Sequence, residues 1–283
     1  MARSRWYSGA VSTSHTRADE RILFERQSAY QQVTLVEERD GYLALTLDDV
    51  WQFHECDEHV FHEILADTPM ILAPAPRRVL ILGGGDGLAL RNVLRYATVE
   101  AVTLCELDPA VIEMATAVPE MLALTEDAFA DPRVELVVAD AQEFIVDARS
   151  RPAYDVIICD FPAATSPELE PLFRPAFYAK LAGSLAGPDT VVAVQVSQDP
   201  AGFWPVCAAV EASFAWVHPM LVNLDPGGVD DCDWADFIIA SVTPRTVQRG
   251  PAGATRFMRA ALVDRLRIHN RSGEVFETLE LCG

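Results

Sequence analysis

Between Gln32 and Phe53 the chain alternates short β-branched or aromatic runs with acidic turns. Val33-Thr34-Leu35-Val36, Tyr42–Leu47 and Val50–Phe53 are separated by Arg39-Asp40-Gly41 and Asp48-Asp49. Asp-Gly is a hairpin signal, so these runs predict a small antiparallel sheet. From Glu58 to Ala66 the period changes: Val60, Phe61, Ile64 and Leu65 repeat at helical spacing. Pro69, Pro74 and Pro76 then mark a passage into a larger region. That region alternates apolar runs (Val79–Leu82, Ala101–Cys105, Val134–Val138, Tyr154–Cys159, Thr190–Val196) with helical ones (Leu88–Tyr96, Pro109–Val118, Ala141–Ala148, Pro171–Leu185, Phe203–Ala215). Continuous apolar strands between helical crossovers predict a parallel sheet covered on both faces. A late pair, Trp216–Leu224 and Trp234–Val242, flanks Asp225–Asp231 and is expected to close the sheet as an antiparallel hairpin. The expected organisation is an arm over 1–26, a β domain with its connecting helix over 27–70, an α/β domain over 71–243 and an extension over 244–283. In that extension Thr246–Ala254 reads as a loop before a final helix and a short strand.

Composition narrows the function. Half of the 283 residues are hydrophobic and 23% are charged, which predicts a soluble globular protein. A net charge of -20, with Lys180 the only lysine, argues against a nonspecific grip on nucleic-acid phosphates. The same acidic field would draw in a cationic small molecule. Cys56, Cys105, Cys159, Cys207, Cys232 and Cys282 form no CxxC pair, so neither a zinc site nor a disulfide framework is expected. Cys105 and Cys159 fall inside predicted strands as small hydrophobes. The N-terminus lacks an apolar segment of signal-peptide type and no apolar run reaches membrane-spanning length. A reduced, cytoplasmic setting without membrane association is the expectation.

The chemistry-bearing stretch is Arg78-Val79-Leu80-Ile81-Leu82-Gly83-Gly84-Gly85-Asp86-Gly87, followed after a helix by Val102–Asp108. A strand running into glycines, with an acid about twenty residues later at the next strand tip, is the signature of a nucleoside pocket. NAD, FAD and S-adenosyl ligands all use such loops. Ligands of an open parallel sheet sit beyond the C-terminal strand ends, and four successive strands here finish near an acid: Asp86, Glu106, Asp140 and Asp160. Glu106 suits the two ribose hydroxyls. Asp140, with the backbone N–H of neighbouring Ala141, suits an adenine amino group. Gly83 to Gly87 would let the sugar and a linking sulfur lie against the main chain. Asp86 and Asp160 then face whatever is attached at the 5′ end, and both favour positive charge there. Phe129, Trp204 and Trp216 read as core or interface aromatics, Arg133 as structural, and His54, His59 and His218 have no partner identifiable from sequence.

Here the chain resembles the spermidine synthase family, the polyamine aminopropyltransferases. The resemblance runs through Ser28-Ala29-Tyr30-Gln31, Leu47-Asp48-Asp49-Val50-Trp51-Gln52, Asp57-Glu58-His59-Val60-Phe61-His62-Glu63 and the glycine loop. It continues through Glu106-Leu107-Asp108-Pro109, Asp131-Pro132-Arg133-Val134, Tyr154–Asp160 and Ala193-Val194-Gln195. It implies a methyltransferase-like, Rossmann-type, mostly parallel α/β sheet with a small N-terminal β domain, in a homodimer. It also implies aminopropyl transfer from decarboxylated S-adenosylmethionine to a small-molecule amine, with no metal. Gln52, Asp86, Glu106, Asp140 and Asp160 would form the nucleoside and reacting-end pocket. Asp160 would act as the acid-base carboxylate and Asp86 would pair with the amine of the donor. Gln31 and Gln195 would lie near the acceptor, with Phe61 and His62 on its path.

The departures gather on the acceptor side. The family's Asp-Ser-Ser/Thr-Asp-Pro run is Asp160-Phe161-Pro162-Ala163-Ala164 here, so Ala163 replaces a second carboxylate. Phe61 stands where the family has tyrosine, and Leu224-Asp225-Pro226-Gly227-Gly228 replaces Tyr-Pro-Ser-Gly. Asp225 would substitute in part for a lost anionic contact. Residues 254–283 carry no match. An acceptor other than, or in addition to, putrescine is expected. A methyltransferase or other alkyltransferase using intact S-adenosylmethionine, and a non-catalytic binding protein on the same fold, stay open as alternatives; plant putrescine methyltransferases resemble this family and use the intact donor.

Overall fold

Four antiparallel strands open the described chain: β1 (Arg21–Gln27), β2 (Gln32–Glu37), β3 (Leu43–Leu47) and β4 (Val50–His54), paired in that order. The computed structural model describes residues 20–147, 153–162, 167, 169–184, 186–196, 200–223, 234–245, 248 and 278–279. Both expected hairpins form. Gly41 takes the left-handed φ of +87° that its turn requires, and Asp48 and Asp49 have φ of 49° and 61°, the signature of a two-residue I′ loop. One expectation is corrected here. Residues 21–26, assigned to the arm, form β1 instead, pairing with β2 from Arg21↔Glu37 to Gln27↔Gln32. As a mostly exposed edge strand it carries charged residues between its few apolar ones, which hides the period-two signal.

The connecting helix runs further than its prolines imply. α1 (Glu58–His62) passes through a π-helical turn over Glu63–Asp67 into α2 (Thr68–Leu72). Pro69 falls in the first turn of α2, where a missing N–H costs little, so it begins a helix instead of ending one.

The large sheet contains β5 (Arg78–Gly83), β6 (Ala101–Glu106), β7 (Val134–Val138), β8 (Tyr154–Asp160), β9 (Ala186–Val196), β10 (Trp216–Asn223), β11 (Trp234–Ser241) and β12 (Thr278–Leu279). Their order is β12-β10-β11-β9-β8-β5-β6-β7. The pairings from β9 through β7 are parallel, and the late pair joins as the expected antiparallel hairpin with β11 on β9. The helices are α3 (Leu88–Leu94), α4 (Pro109–Ala117), α5 (Pro119–Leu124), α6 (Ala141–Asp147), α7 (Pro175–Ser184) and α8 (Pro200–Glu211). The helix expected from Pro171 is broken: Arg174 is extended because it precedes Pro175, and α7 starts after it.

Alternation along the strands builds two cores. Val79, Ile81, Val102, Leu104, Val156 and Ile158 face the helices α1 to α5 and the inner residues of the small sheet, such as Leu35, Leu45 and Phe53. Leu80, Leu82, Cys105, Ile157 and Cys159 face α6, α7 and α8. Period-two strands apolar on both faces are what a doubly covered sheet requires. The small sheet and α1 share the first core, which seats them beside the C-terminal ends of β5 and β8. Among the described residues no helix is long and apolar enough to cross a membrane.

Candidate active site

Strand order reverses between β5 and β8: from β5 the chain moves outward through β6 and β7, then returns to place β8 on the other side. Crossovers leave such a point on opposite faces, so a crevice opens at the strand tips. The loop Gly83–Gly87 fills this tip. Gly83 and Gly84 have φ of +81° and +65°, and the Gly84 N–H donates to the Asp160 carbonyl at 3.0 Å. A Cβ on Gly83 would stand 2.1 Å from that carbonyl oxygen, one on Gly84 2.9 Å from Asp160 Oδ2, and one on Gly85 2.6 Å from Glu106 Cγ. The glycines therefore let two acid side chains close onto the loop, a packing role that the motif alone does not reveal.

A cleft of about 620 Å³, open solvent at its mouth included, lies over this loop. Gly84, Gly85, Asp86, Glu106 and Asp160 form its floor, and Gln52, Leu45 and Leu47 from the small sheet its roof. Gln31, Phe61, His62, Val111, Phe161, Pro162 and Gln195 complete the walls. Glu106 is held at both oxygens: Oε2 accepts the Gly85 N–H at 3.1 Å and Oε1 the Asp108 N–H at 2.8 Å. Asp86 Oδ1 accepts the Leu88 N–H at 2.8 Å, fixing the start of α3. Gln31 is steadied through Asp108, whose Oδ2 accepts from Gln31 Nε2 at 3.1 Å and from Ser28 Oγ at 2.7 Å.

Two acceptors in this cleft are left for something else. Asp160 Oδ2 and Gln195 Oε1 are buried and accept no hydrogen bond from the described residues. A buried acceptor without a donor is costly, and such atoms mark sites where a ligand supplies the missing N–H. Burial, reinforced by the Asp86 carboxylate and opposed by His62, pushes the Asp160 carboxyl up to about 7. Burial likewise lifts Glu106 to about 7 against the bonds from Asp108 and Gly85.

His62 connects this floor to a buried ion pair. Its Nδ1 lies 2.8 Å from the Glu58 carbonyl and 3.2 Å from Glu58 Oε2. Arg91 clamps the same carboxylate with two bonds, 3.1 Å from Nη1 and 2.9 Å from Nη2, and its Nη1 also donates to the Leu124 carbonyl. Burial alone would raise Glu58, but His62 and Arg91 pull it down to about 2. Burial alone would lower His62, yet its bond to Glu58 and the charges of Asp86 and Asp160 leave it raised. A little further back Asp67 accepts from Tyr96 Oη at 2.6 Å and from Asn92 Nδ2 at 3.2 Å, and burial holds it near 7. Arg91, Asp67 and Tyr96 do not stand out in the sequence, and Glu58 does so only as a member of the Asp57–Glu63 motif.

A pH dependence of stability follows. Asp67, Glu106 and Asp160 bind protons in the folded chain up to about pH 7 but release them near 4 when unfolded. Between these values the native state holds more protons, so stability falls as pH rises from about 4 to about 7. Raised His62 adds in the same sense, whereas depressed Glu58 matters only below about 4.5. Thermal unfolding of the ligand-free protein is expected to give a higher Tm at pH 6 than at pH 8; the reverse order contradicts these environments.

The structure brings Gln31, Gln52, Phe61, His62, Gly84, Gly85, Asp86, Glu106, Asp160 and Gln195 around one cleft. It does not bring Gly83, Gly87, Asp140 or Ala141 into that lining. Gly83 ends β5, Gly87 makes room for Phe129, and Asp140 Oδ1 accepts the Gln142 N–H at 2.6 Å at the start of α6. Ala141 is buried as the first residue of that helix. Asp225, Ala163 and the proposed replacement run over 224–228 lie outside the described residues. Arg133 is structural, as expected, donating to Asp131 and to the Leu94 carbonyl.

Fold and cleft together define an α/β protein whose small N-terminal antiparallel sheet roofs the switch point of a larger mixed sheet. The spermine/spermidine synthase domain matches residues 58–202, just over half of the chain. A polyamine aminopropyltransferase 2 of Bacillus cereus is 42% identical over 191 residues, covering 67% of this chain and 51% of that protein. A polyamine aminopropyltransferase of Thermotoga maritima is 39% identical over 158 residues, covering 56% of this chain and 52% of the relative. The chain thus spans about half the length of these curated relatives. A spermidine synthase crystallised in complex with the transition-state analogue AdoDATO superimposes with a TM-score of 0.70 at 32% identity, covering 79% of this chain and 74% of the other. The spermidine synthase of Thermotoga maritima gives 0.66 at 30% identity, with 79% and 73% covered. The chain belongs to the spermine/spermidine synthase family.

Proposed function

We propose that this protein transfers an aminopropyl group from decarboxylated S-adenosylmethionine to an amine other than, or in addition to, putrescine. The observation that carries the reading is Asp160 Oδ2, a buried carboxylate oxygen without a donor among the described residues, above the glycine loop, with Asp86 and Glu106 as neighbours. Three acids in one cleft, balanced among the lining residues by His62 alone, suit a cation and disfavour a phosphate.

Glu106, held rigid by Gly85 and Asp108, would take the ribose hydroxyls, and Gln52 would cover the nucleoside from the small sheet. Asp86 would hold the ammonium of the aminopropyl arm. Intact S-adenosylmethionine would set its carboxylate against Asp86, and two like charges about 4 Å apart cost about 4 kcal/mol at an effective dielectric near 20. Attack by the acceptor nitrogen forms the C–N bond as the C–S bond breaks, and the electron pair returns to sulfur. Asp160 would receive the proton that the nitrogen sheds. Its pKa near 7 matches that task, because a general base works best when poised near the operating pH. The remaining work is positioning, done by Gln31, Gln195 and the walls.

The acceptor side supports a less cationic or bulkier amine. Phe61 is buried with its ring 5.0 Å from that of Phe237, and Phe161 and Pro162 continue the apolar wall beyond Asp160. Among the described lining residues no fourth carboxylate stands ready for a distal ammonium. Leaving one charge unpaired costs about 1–3 kcal/mol or more. In a panel of amines with the decarboxylated donor, putrescine should therefore show a kcat/KM about tenfold to a hundredfold below that of the best bulkier monoamine. Putrescine turning over best would contradict the acceptor assignment.

A further inference from the structure

We infer that His54, Cys56 and Asp57 form a binding site for a thiophilic divalent cation of the Zn²⁺ type, outside the cleft and independent of the reaction proposed for it. The three residues sit in the turn between β4 and α1, where the Asp57 N–H closes onto the His54 carbonyl at 3.2 Å. The turn brings one imidazole nitrogen, one sulfur and one carboxylate oxygen within 4.8 Å of one another. His54 Nδ1 lies 2.9 Å from Cys56 Sγ. In a tetrahedral site with Zn–S near 2.3 Å and Zn–N near 2.0 Å those two atoms stand about 3.5 Å apart, so a small opening of the turn admits the ion.

The ring is turned the right way for it. Nδ1 faces Cys56, accepting its N–H at 3.3 Å in a bond that the ion would displace, while Nε2 faces Glu38 Oε2 at 3.6 Å. A carboxylate behind a ligating imidazole is the usual arrangement that fixes ring orientation and strengthens the metal bond. Asp57 heads α1 but does not spend its carboxylate on a capping bond; it lies against the Cys56 thiol. Burial, with the charges of Asp57, Asp40 and Glu38 around the sulfur, pushes the Cys56 thiol up to about 12, so a bound ion would take the place of its proton. The rings of Tyr42 and Trp51 stand 5.6 and 6.4 Å from that of His54 and wall the site. Cys56 is only partly covered, so an ion can reach it. Thiolate, imidazole and carboxylate with a fourth position for water is a donor set that Zn²⁺ favours over Mg²⁺ or Ca²⁺. This departs from the metal-free expectation: the ligands come from a His-x-Cys-Asp turn and not from a CxxC pair. Its place in the fold gives it a consequence: α1, starting at Glu58, carries Phe61 and His62 into the cleft, so an ion here would stiffen the element that positions them.

Co²⁺ titrated into the metal-stripped full chain provides the test. The expected result is one equivalent bound with a near-ultraviolet thiolate-to-cobalt band and visible bands of tetrahedral intensity, displaced by Zn²⁺. Cys56→Ser should abolish the thiolate band while Cys207→Ser keeps it. Glu38→Gln, which spares all three ligands, should weaken binding by about tenfold to a hundredfold. A wild-type chain without a thiolate band overturns the assignment, as does a band that survives Cys56→Ser. Unaltered affinity in Glu38→Gln, with its melting curve intact, would remove the role given to that carboxylate.

Discussion

Asp160→Asn is expected to lower kcat by about 10²- to 10⁴-fold, the range typical of a lost general base, while donor affinity by calorimetry changes only a few-fold. The substitution keeps volume and leaves the backbone carbonyl of residue 160 to receive the Gly84 N–H. It removes the one function an amide cannot perform, accepting a proton from the attacking nitrogen. The two readouts separate roles: a residue that merely shaped the donor pocket would move affinity and turnover together. A pH signature accompanies it. Wild-type kcat/KM should climb as pH rises through about 7, where Asp160 loses its proton, and that limb should vanish in the variant. Unchanged turnover in Asp160→Asn would remove the residue from the mechanism.

Arg91→Met should be the most damaging single change to stability away from the glycine loop. Arg91 and Glu58 are both almost wholly buried and joined by two bonds, and among the described residues Glu58 keeps only His62 as a charged partner once the guanidinium goes. Breaking a buried pair from one side costs about 3–5 kcal/mol because the remaining charge has no water to return to. In a chain of this size that corresponds to a fall in Tm on the order of 10 °C. Removing both charges, as in Arg91→Met with Glu58→Leu, should recover much of the loss. If the double variant melts lower than Arg91→Met by a full further increment, the pair contributes as two independent groups and the network reading is wrong.

Much of the site was legible because the sheet itself encodes it. Glycines after β5 and acids after β6 and β8 have to meet wherever parallel strands share a register, so Gly84, Asp86, Glu106 and Asp160 could be placed from spacing alone. Gln31, Gln52 and His62 came from the resemblance and reach the same cleft, carried by the small sheet and α1. What stayed hidden depends on contacts between distant positions. Glu58 and Arg91 lie 33 residues apart, and no local spacing joins them before α1 and α3 pack together. Asp67 and Tyr96 meet in the same way. Asp140 shows the opposite limit, since an acid at a strand tip is also a good start for the helix that follows, and its Oδ1 bonds to Gln142 there. β1 carries no clear period-two signal because an edge strand keeps few apolar residues.

The central claim is that a cationic adenosyl donor lies over the glycine loop while Asp160 draws a proton from an incoming nitrogen. Mass spectrometry of products, with the purified chain offered intact or decarboxylated S-adenosylmethionine and a panel of amines, tests it most directly. The account predicts an aminopropylated amine together with methylthioadenosine, formed only from the decarboxylated donor and strongly reduced in Asp160→Asn. Methylated amine from the intact donor, or no product from either, would contradict it.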